Sequence, residues 1–149
     1  MRPPIDRFTG DYHWLSNFWP APVVLDGVVY PTVEHAYVAA KTLDPAIRAE
    51  ILACPTPSKA KAMGKTIQLR PGWQDMRPVV MEDLLRKKFT LPMLAARLKG
   101  TGDTTLSEGN THGDKYWGVS LLTGEGEDHL GKLLMKIRAE LKVRDSYPV

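Results

Sequence analysis

The chain has 149 residues, of which 43% are hydrophobic and 25% charged, so it can build a core and lacks the composition of a disordered protein. The 20 basic and 17 acidic residues leave a net charge of +3, which suits anionic ligands but is not by itself evidence for nucleic-acid binding. The single cysteine excludes an internal disulfide, and no apolar run approaches the length of a membrane span. We therefore predict a single cytoplasmic domain over residues 1–149, with no membrane partner.

The clearest local pattern is a β-hairpin. Two β-branched runs, Val23–Leu25 and Val28–Tyr30, are separated by Asp26 and Gly27. Both residues of such a two-residue turn need positive φ, which aspartate and glycine tolerate. Pro31 has no N–H to donate to a ladder, so it ends the second strand.

Three short helices are expected to follow the hairpin, because a capping side chain precedes each of them. In the second and third, a proline follows the cap and suits the first helical position. The predicted caps are Thr32, Asp44 and Thr56, and the predicted helices are 33–42, 45–53 and 57–64, the last closed by Gly64.

Helical spacing recurs later in the chain, and short β-branched or aromatic runs between these helices are candidate strands. The predicted helices are 76–89, 91–99 and a last helix capped by Asp128, and the candidate strands are 104–106 and 116–119. Since helices outnumber strands and rarely alternate with them, we predict the fold class α+β: a helix-rich single domain with a small, mainly antiparallel sheet.

The first predicted helix carries a candidate site. Glu34 and Lys41 are seven residues apart and share one side of a helical wheel, with Tyr37 between them. The opposite side is small and apolar and can pack on another element. Periodicity alone favours a solvated Glu/Lys side, since charged side chains are mostly exposed. The alternative is that this side lines a cleft.

Other residues could complete such a site. Trp73 follows a Pro-Gly turn and Trp117 follows a polar loop; indoles there can stack on a base, but they also commonly close the end of a core. Asp114 is either a turn residue or a functional one. The basic run Arg86–Lys88 is read as a solvated helix end. A carboxylate, an amine and indoles suit a planar heterocycle carrying a phosphorylated sugar, without defining a reaction.

Four ordered segments resemble the signatures of the NADAR family, also called YbiA-like proteins. The similarity spans about residues 8–143, and two positions depart from the family pattern: a glutamine is missing near Ala39, and Asp128 stands where asparagine is usual. The resembling segments are Leu15–Phe18 with Tyr30–Tyr37 and Lys41; Met81–Phe89; Leu106–Glu108 with Asp114–Gly118; and Leu130–Arg138.

This resemblance implies a YbiA-like fold and N-glycosidase chemistry on the bond between a phosphorylated ribose and a heterocyclic base. Two substrate classes are implied. One is ADP-ribosylated guanine in nucleic acid, the substrate of antitoxin-type members. The other is the phosphoribosylamino-pyrimidine intermediates of riboflavin biosynthesis. No cofactor and no metal are expected, and the oligomeric state is not predicted.

The resemblance also implies residue roles. Lys41 is the nucleophile that forms a Schiff base with the opened sugar, Glu34 transfers protons, and Asp114 binds sugar hydroxyls or stabilises a cationic centre. The Glu/Lys side is then expected to line a cleft. The alternative is a non-catalytic module that binds ADP-ribose or a nucleotide. The expected substrate-binding residues are Arg7 (a phosphate contact), Asn17, Tyr37, Trp73, Trp117 and Asp128.

Overall fold

The structure is a computed structural model that describes residues 3–145. Its residues form two compact units. One unit is Asn17–Lys88, and the other comprises the described parts of Met1–Ser16 and Phe89–Val149. The single-domain boundary of 1–149 stays a prediction.

The unit Asn17–Lys88 consists of a β-hairpin followed by helices. Its strands β1 and β2 are antiparallel, and α2, α3 and α4 all pack against α1. The elements are β1 (Val23–Leu25), β2 (Val28–Tyr30), α1 (Val33–Ala40), α2 (Pro45–Leu52), α3 (Pro57–Gly64) and α4 (Trp73–Lys88).

The predicted hairpin is confirmed. Val24 pairs with Val29 across the ladder. The turn residues Asp26 and Gly27 have φ values of 47° and 80°, as a turn of this kind requires. The Arg48 guanidinium donates to the Asp26 carboxylate over 2.7 Å, so the turn is also tied to α2.

The three predicted N-caps are confirmed as well. In each case a side-chain oxygen accepts from a backbone N–H of the first helical turn, which would otherwise lack a partner. The bonds run from His35 N to Thr32 Oγ1 (3.0 Å), from Ala46 N to Asp44 Oδ1 (2.9 Å) and from Lys59 N to Thr56 Oγ1 (3.2 Å).

Helix α1 is buried on almost all sides. Of its eight residues, only Glu34 is not buried. The hairpin and three other helices surround it, which a single-helix wheel cannot reveal. The solvated amphipathic helix that periodicity alone favours is therefore wrong, and α1 is the central helix of this unit.

Helix α4 begins earlier than its apolar spacing indicates. Its first residue is Trp73, which follows a turn at Gly72 with a φ of 77° and is only 4% exposed. Pro78 lies inside this helix and has no N–H for the carbonyl of Gln74. The sequence interpretation places the helix start at residue 76; the structure adds the first turn and with it a buried indole.

The basic end of α4 is not uniformly solvated. Arg86 and Lys87 are partly exposed and pair with carboxylates one turn earlier in the helix. Lys88, in contrast, is 0% exposed. It lies on the same helical face as the buried Leu84 and Leu85. The prediction of a solvated helix end is therefore wrong for Lys88.

The other unit is built from helices joined by long loops. Strands β3 and β4 form a two-residue parallel pair, and Ile5 makes an isolated parallel bridge with Leu106. In the candidate strand 104–106, the bridge at Leu106 is the strand pairing that the structure shows. In the candidate strand 116–119, pairing begins at Val119. The elements are a 3-10 helix (Gly10–Leu15), α5 (Pro92–Gly100), β3 (Gly109–Asn110), β4 (Val119–Ser120) and α6 (His129–Asp145).

The last helix packs through a stripe of apolar residues. Leu130, Leu134 and Ile137 of α6 are buried, and α6 packs on α5. Arg138 is buried among them, and its guanidinium donates to Thr101 Oγ1 and to the carbonyl of Thr104. None of the helices formed by residues 3–145 has the length and apolar character that a membrane span needs.

Candidate functional site

Lys41 follows directly after the last residue of α1 and is partly buried. Burial is the main cause that lowers the pKa of its amine below the ordinary value. The charge of Glu34 raises this pKa, and the cations Lys61 and Arg77 lower it further. The amine therefore gives up its proton more readily than an exposed lysine, which favours nucleophilic chemistry.

The rings of Tyr37 and Trp73 form an aromatic wall beside this amine. The Nζ atom of Lys41 lies 5.6 Å from the centre of the Tyr37 ring, within the range of a cation–π contact. The Tyr37 ring in turn lies 5.3 Å from that of Trp73, centre to centre. Because Trp73 opens α4 and Tyr37 belongs to α1, two helices contribute to the wall.

The backbone around Lys41 is held by two arginines. Arg48 Nε donates to the carbonyls of Ala39 and Thr42, over 3.1 and 2.8 Å. Arg70 donates from its guanidinium to the Ala40 carbonyl and from its backbone N–H to the Lys41 carbonyl, over 3.4 and 2.8 Å. These bonds add side-chain and backbone donors to the carbonyls at the end of α1, where helical partners run out.

Helix α3 approaches α1 closely at the same point. A Cβ atom added to Gly64 would lie 3.0 and 3.1 Å from the two methyl carbons of Val38 and 3.4 Å from Lys41 Nζ. Gly64 is the last residue of α3, as predicted, but it is not in the left-handed region that favours a glycine cap. The close approach of the two helices is what favours glycine here.

Glu34 and Asn17 meet at the beginning of α1. The backbone N–H of Glu34 donates to the Asn17 carbonyl over 3.1 Å, and the Asn17 amide group lies 3.5 Å from the sulfur of Met81. Among the described residues, Asn17 Oδ1 is buried and has no hydrogen-bond partner. Glu34 is only partly buried, and its position in the first turn suits the positive end of the helix dipole.

Five predicted site residues thus fall within one unit. These residues come from the loop before the hairpin, from the start, middle and C-terminal cap of α1, and from the start of α4. They are Asn17, Glu34, Tyr37, Lys41 and Trp73.

Asp114 has a clear structural role in the other unit. Its Oδ1 atom accepts from the backbone N–H groups of Tyr116 and Trp117, over 3.2 and 2.9 Å, which is the pattern of an Asx turn. Its own N–H donates to Asn110 Oδ1 over 3.1 Å. Trp117 is partly buried and packs edge-on against Tyr116. The carboxylate therefore fixes the loop that carries the indole.

Asp128 precedes α6 and adopts a φ of 50°, which is unusual for a residue other than glycine. Its Oδ1 atom accepts from Glu108 N over 3.0 Å and from Gly131 N over 3.3 Å. It is therefore the predicted helix cap, and it also holds a distant loop. Burial raises the pKa of this carboxyl even though these hydrogen bonds oppose the rise.

Arg7 is exposed and forms an ion pair with its neighbour Asp6 over 2.9 Å. A free guanidinium is what a phosphate contact would use, so Asp6 competes for this role. Within residues 3–145 no group of three or more His, Cys, Asp or Glu side chains is arranged to hold a metal ion.

The sequence interpretation misses three residues that lie near the Lys41 amine or change its pKa. Lys61 and Gly64 lie on α3, and Arg77 lies on α4, so no spacing within one helix connects them to the amine. The sequence signal for this close packing is a glycine near the end of a short helix, but the same glycine is equally typical of an ordinary helix cap.

The chain is similar to proteins of known family. The model of the NADAR domain matches residues 6–142. The N-glycosidase YbiA of Escherichia coli is 38% identical over 136 residues, covering 89% of this chain and 84% of that protein. A riboflavin biosynthesis protein of Vibrio vulnificus is 34% identical over 99% of this chain, which spans 41% of that longer protein.

A solved structure shares the fold. The NMR structure of Escherichia coli YbiA superposes with a TM-score of 0.87 at 35% identity, covering 100% of this chain and 91% of that one. The predicted α+β, YbiA-like fold class is thereby confirmed, as is the predicted enzyme class, N-glycosyl hydrolase. The chain belongs to the NADAR domain family, whose members include the N-glycosidases to which it is similar.

Proposed function

We propose that this chain hydrolyses the N-ribosyl bond between a phosphorylated ribose and a heterocyclic base, with Lys41 as the nucleophile. The observation that carries the proposal is a partly buried amine with a lowered pKa that shares one side of α1 with Glu34. Both features suit covalent catalysis, which needs a neutral amine and a group that moves protons.

The proposed reaction proceeds through an imine. The sugar ring opens as its bond from the anomeric carbon to the ring oxygen breaks; the oxygen takes a proton from solvent, and the carbon is left as an iminium with the base nitrogen. The neutral Lys41 amine adds to this carbon, and the Glu34 carboxylate takes the proton that the amine loses. Glu34 passes this proton to the base nitrogen as the bond from the carbon to the base breaks, which leaves a protonated imine on Lys41. Water then hydrolyses the imine, which releases the sugar phosphate, restores the neutral amine and returns one proton to solvent.

The other residues near the amine have proposed binding roles. Tyr37 and Trp73 are both buried, so the proposed role of this wall is to shape the pocket for the base beside the amine. The Oδ1 atom of Asn17 can accept a hydrogen bond from a sugar hydroxyl. The remaining predicted substrate contacts rest on the sequence resemblance alone, and they are Arg7, Asp114, Trp117 and Asp128.

Lys88 is the other lysine with a lowered pKa, and its shift is large, to about 7. Its side chain, however, is 0% exposed, whereas that of Lys41 retains access to solvent. A nucleophile has to reach the substrate as well as lose its proton. Accessibility therefore favours Lys41.

The substrate class is proposed to be the phosphoribosylamino-pyrimidines. The Vibrio vulnificus relative is named a riboflavin biosynthesis protein, which supports this class over ADP-ribosylated guanine. Purified protein incubated with each substrate class separately should release ribose phosphate from the pyrimidine. Release of ADP-ribose from modified DNA alone would assign the other class, and tight binding without release from either would assign a non-catalytic nucleotide-binding module.

The nucleophile is tested by trapping with borohydride during turnover, followed by peptide mapping. The wild-type protein should carry the sugar adduct on Lys41, and Lys41→Ala should carry none. Lys59→Ala, a change at an exposed lysine on α3, is the matched control and should trap normally. Turnover without any adduct, or an adduct that maps to Lys88, would show that the assignment of Lys41 is wrong.

A further inference from the structure

Gly64, the last residue of α3, lies close to both α1 and the Lys41 amine. The two methyl carbons of Val38 lie 3.0 and 3.1 Å from the position of a Cβ atom on Gly64, closer than side chains ordinarily pack. The amine nitrogen of Lys41 is only slightly farther away, at 3.4 Å. A side chain at this position would therefore press against Val38 of the central helix and lie next to the candidate nucleophile.

Val38 cannot easily make room for a larger residue. It is 1% exposed and lies inside α1, where a β-branched side chain has one strongly preferred rotamer. Both of its methyl carbons face the Gly64 position, so a rotation of the side chain that exchanges the two methyl groups would not lengthen the short contacts. A side chain on residue 64 would have to displace the backbone of α3 instead.

We propose that Gly64 is a positioning residue for Lys41: its lack of a side chain lets α3 lie against Val38 and limit the access of water to the amine. The inference rests on the proposed function for its catalytic meaning, because a neutral lysine matters only if Lys41 reacts. The inferred effect of Gly64 on the solvation of the amine can be measured without any substrate.

The effect of a methyl group on residue 64 follows from this geometry. In Gly64→Ala, α3 moves away from α1, water reaches the amine, and the desolvation that lowers the Lys41 pKa is weakened. The neutral fraction of Lys41 at pH 7 then falls by about two- to tenfold, since each pKa unit is a factor of ten. Turnover at pH 7 falls with it, and raising the pH restores part of the loss.

Competitive labelling of lysines with acetic anhydride, read by mass spectrometry across pH 6–11, measures this directly without substrate. The midpoint for Lys41 should lie below that of the exposed Lys59 in wild type and move towards it in Gly64→Ala. The matched control is Gly100→Ala, which changes the last residue of α5, where an added Cβ would meet no atom within 4 Å. Its Lys41 midpoint should stay at the wild-type value.

Two further variants keep the test decisive if Gly64→Ala folds poorly. Val38→Ile pushes a methylene towards Gly64 from the other helix and should also raise the Lys41 midpoint. The double variant Gly64→Ala/Val38→Ala removes the opposing methyl groups and should return the midpoint to that of wild type. An unchanged midpoint in Val38→Ile or in folded Gly64→Ala overturns the inference. A shifted midpoint in a protein that cleaves no N-riboside supports it and rejects the proposed function alone.

Discussion

Glu34 and Lys41 share one side of α1, and the charge of the carboxylate raises the pKa of an amine that burial lowers. The two residues therefore act against each other electrostatically while serving one proposed reaction. Removing the carboxylate separates these effects, because it increases the neutral fraction of the Lys41 amine but removes the proposed proton-transfer group.

In Glu34→Gln we expect the Lys41 pKa to fall further, so that more of the amine is neutral at pH 7. Turnover should nevertheless drop on the order of hundreds-fold or more, because the proton-transfer group is lost. The labelling midpoint and the turnover number measure the two effects. Glu50→Gln, on the exposed side of α2, should change neither. Near-normal turnover in Glu34→Gln would remove the proposed role of Glu34.

Lys61 lowers the pKa of Lys41, so neutralising it should raise that pKa. Activity that needs the neutral amine rises with pH through the Lys41 pKa, and Lys61→Gln should move this rise to higher pH. At neutral pH we expect a loss of roughly two- to fivefold, the size of an interaction between partly exposed charges. The pH profile of turnover checks it. A profile that coincides with that of wild type would show that Lys61 does not influence the amine.

The matched control for this prediction is Lys59→Gln. Lys59 lies two residues earlier on the same helix, is exposed, and does not contribute to the shift in the Lys41 pKa. Both variants remove one positive charge from α3, so a general effect of net charge would appear in both. Only Lys61→Gln should move the pH profile.

Lys88 should make the stability of the protein depend on pH. Burial lowers its folded-state pKa to about 7 from 10.5, so the unfolded chain binds one more proton between these values. The free energy of unfolding contributed by this group then rises with pH by about 1.4 kcal/mol per unit from pH 7 towards 10. Below pH 7 the folded protein carries the full cost of a buried charge.

In Lys88→Met this contribution disappears, and the free energy of unfolding at pH 7 should rise by roughly 1–4 kcal/mol, as when buried charges give way to apolar side chains. Urea denaturation at pH 7, 8 and 9 measures both the gain and the flatter slope. Lys132→Met, at an exposed position of α6, is the control and should keep the wild-type slope. Parallel slopes for wild type and Lys88→Met would mean that Lys88 stays charged when buried.

Asp128→Asn tests whether the cap needs its charge. The amide oxygen can still accept from Glu108 N and Gly131 N, and asparagine tolerates the φ of 50°. Burial raises the folded-state pKa of Asp128 above 3.8, so this carboxyl reduces stability as pH rises through that raised value. We therefore expect Asp128→Asn to be neutral or stabilising at pH 7.

Asp128→Ala removes the acceptor and leaves the positive φ on a residue that disfavours it, so it should cost about 1–3 kcal/mol. Thermal or urea unfolding of both variants at pH 7 measures the difference. If Asp128→Asn were as unstable as Asp128→Ala, the negative charge rather than the hydrogen bonds would hold the cap.

Local chemistry accounts for the parts of the fold that sequence predicts. The hairpin follows from the φ preferences of Asp26 and Gly27, and the helix starts follow from the hydroxyl and carboxyl groups of Thr32, Asp44 and Thr56. Each of these signals acts over two to four residues, so one sequence contains all the information it needs.

The parts that sequence does not predict depend on packing between elements. The burial of Lys88 and the all-round burial of α1 arise from neighbours that are distant in the chain. Spacing and resemblance predict Glu34 and Lys41 as candidate site residues. The proximity of Gly64 and Arg77 to the amine depends on how α1, α3 and α4 pack together, because no period within one helix relates these residues to Lys41.

The two arginines at the end of α1 have a consequence for the electric field at the amine. A helix C-terminus carries a partial negative charge on its free carbonyls, and this would favour a protonated Lys41. Arg48 and Arg70 place positive charge directly on the carbonyls of Ala39 and Ala40. These two guanidinium groups offset part of that negative charge, so the end of α1 beside Lys41 is less negative than the end of a helix whose last carbonyls face water.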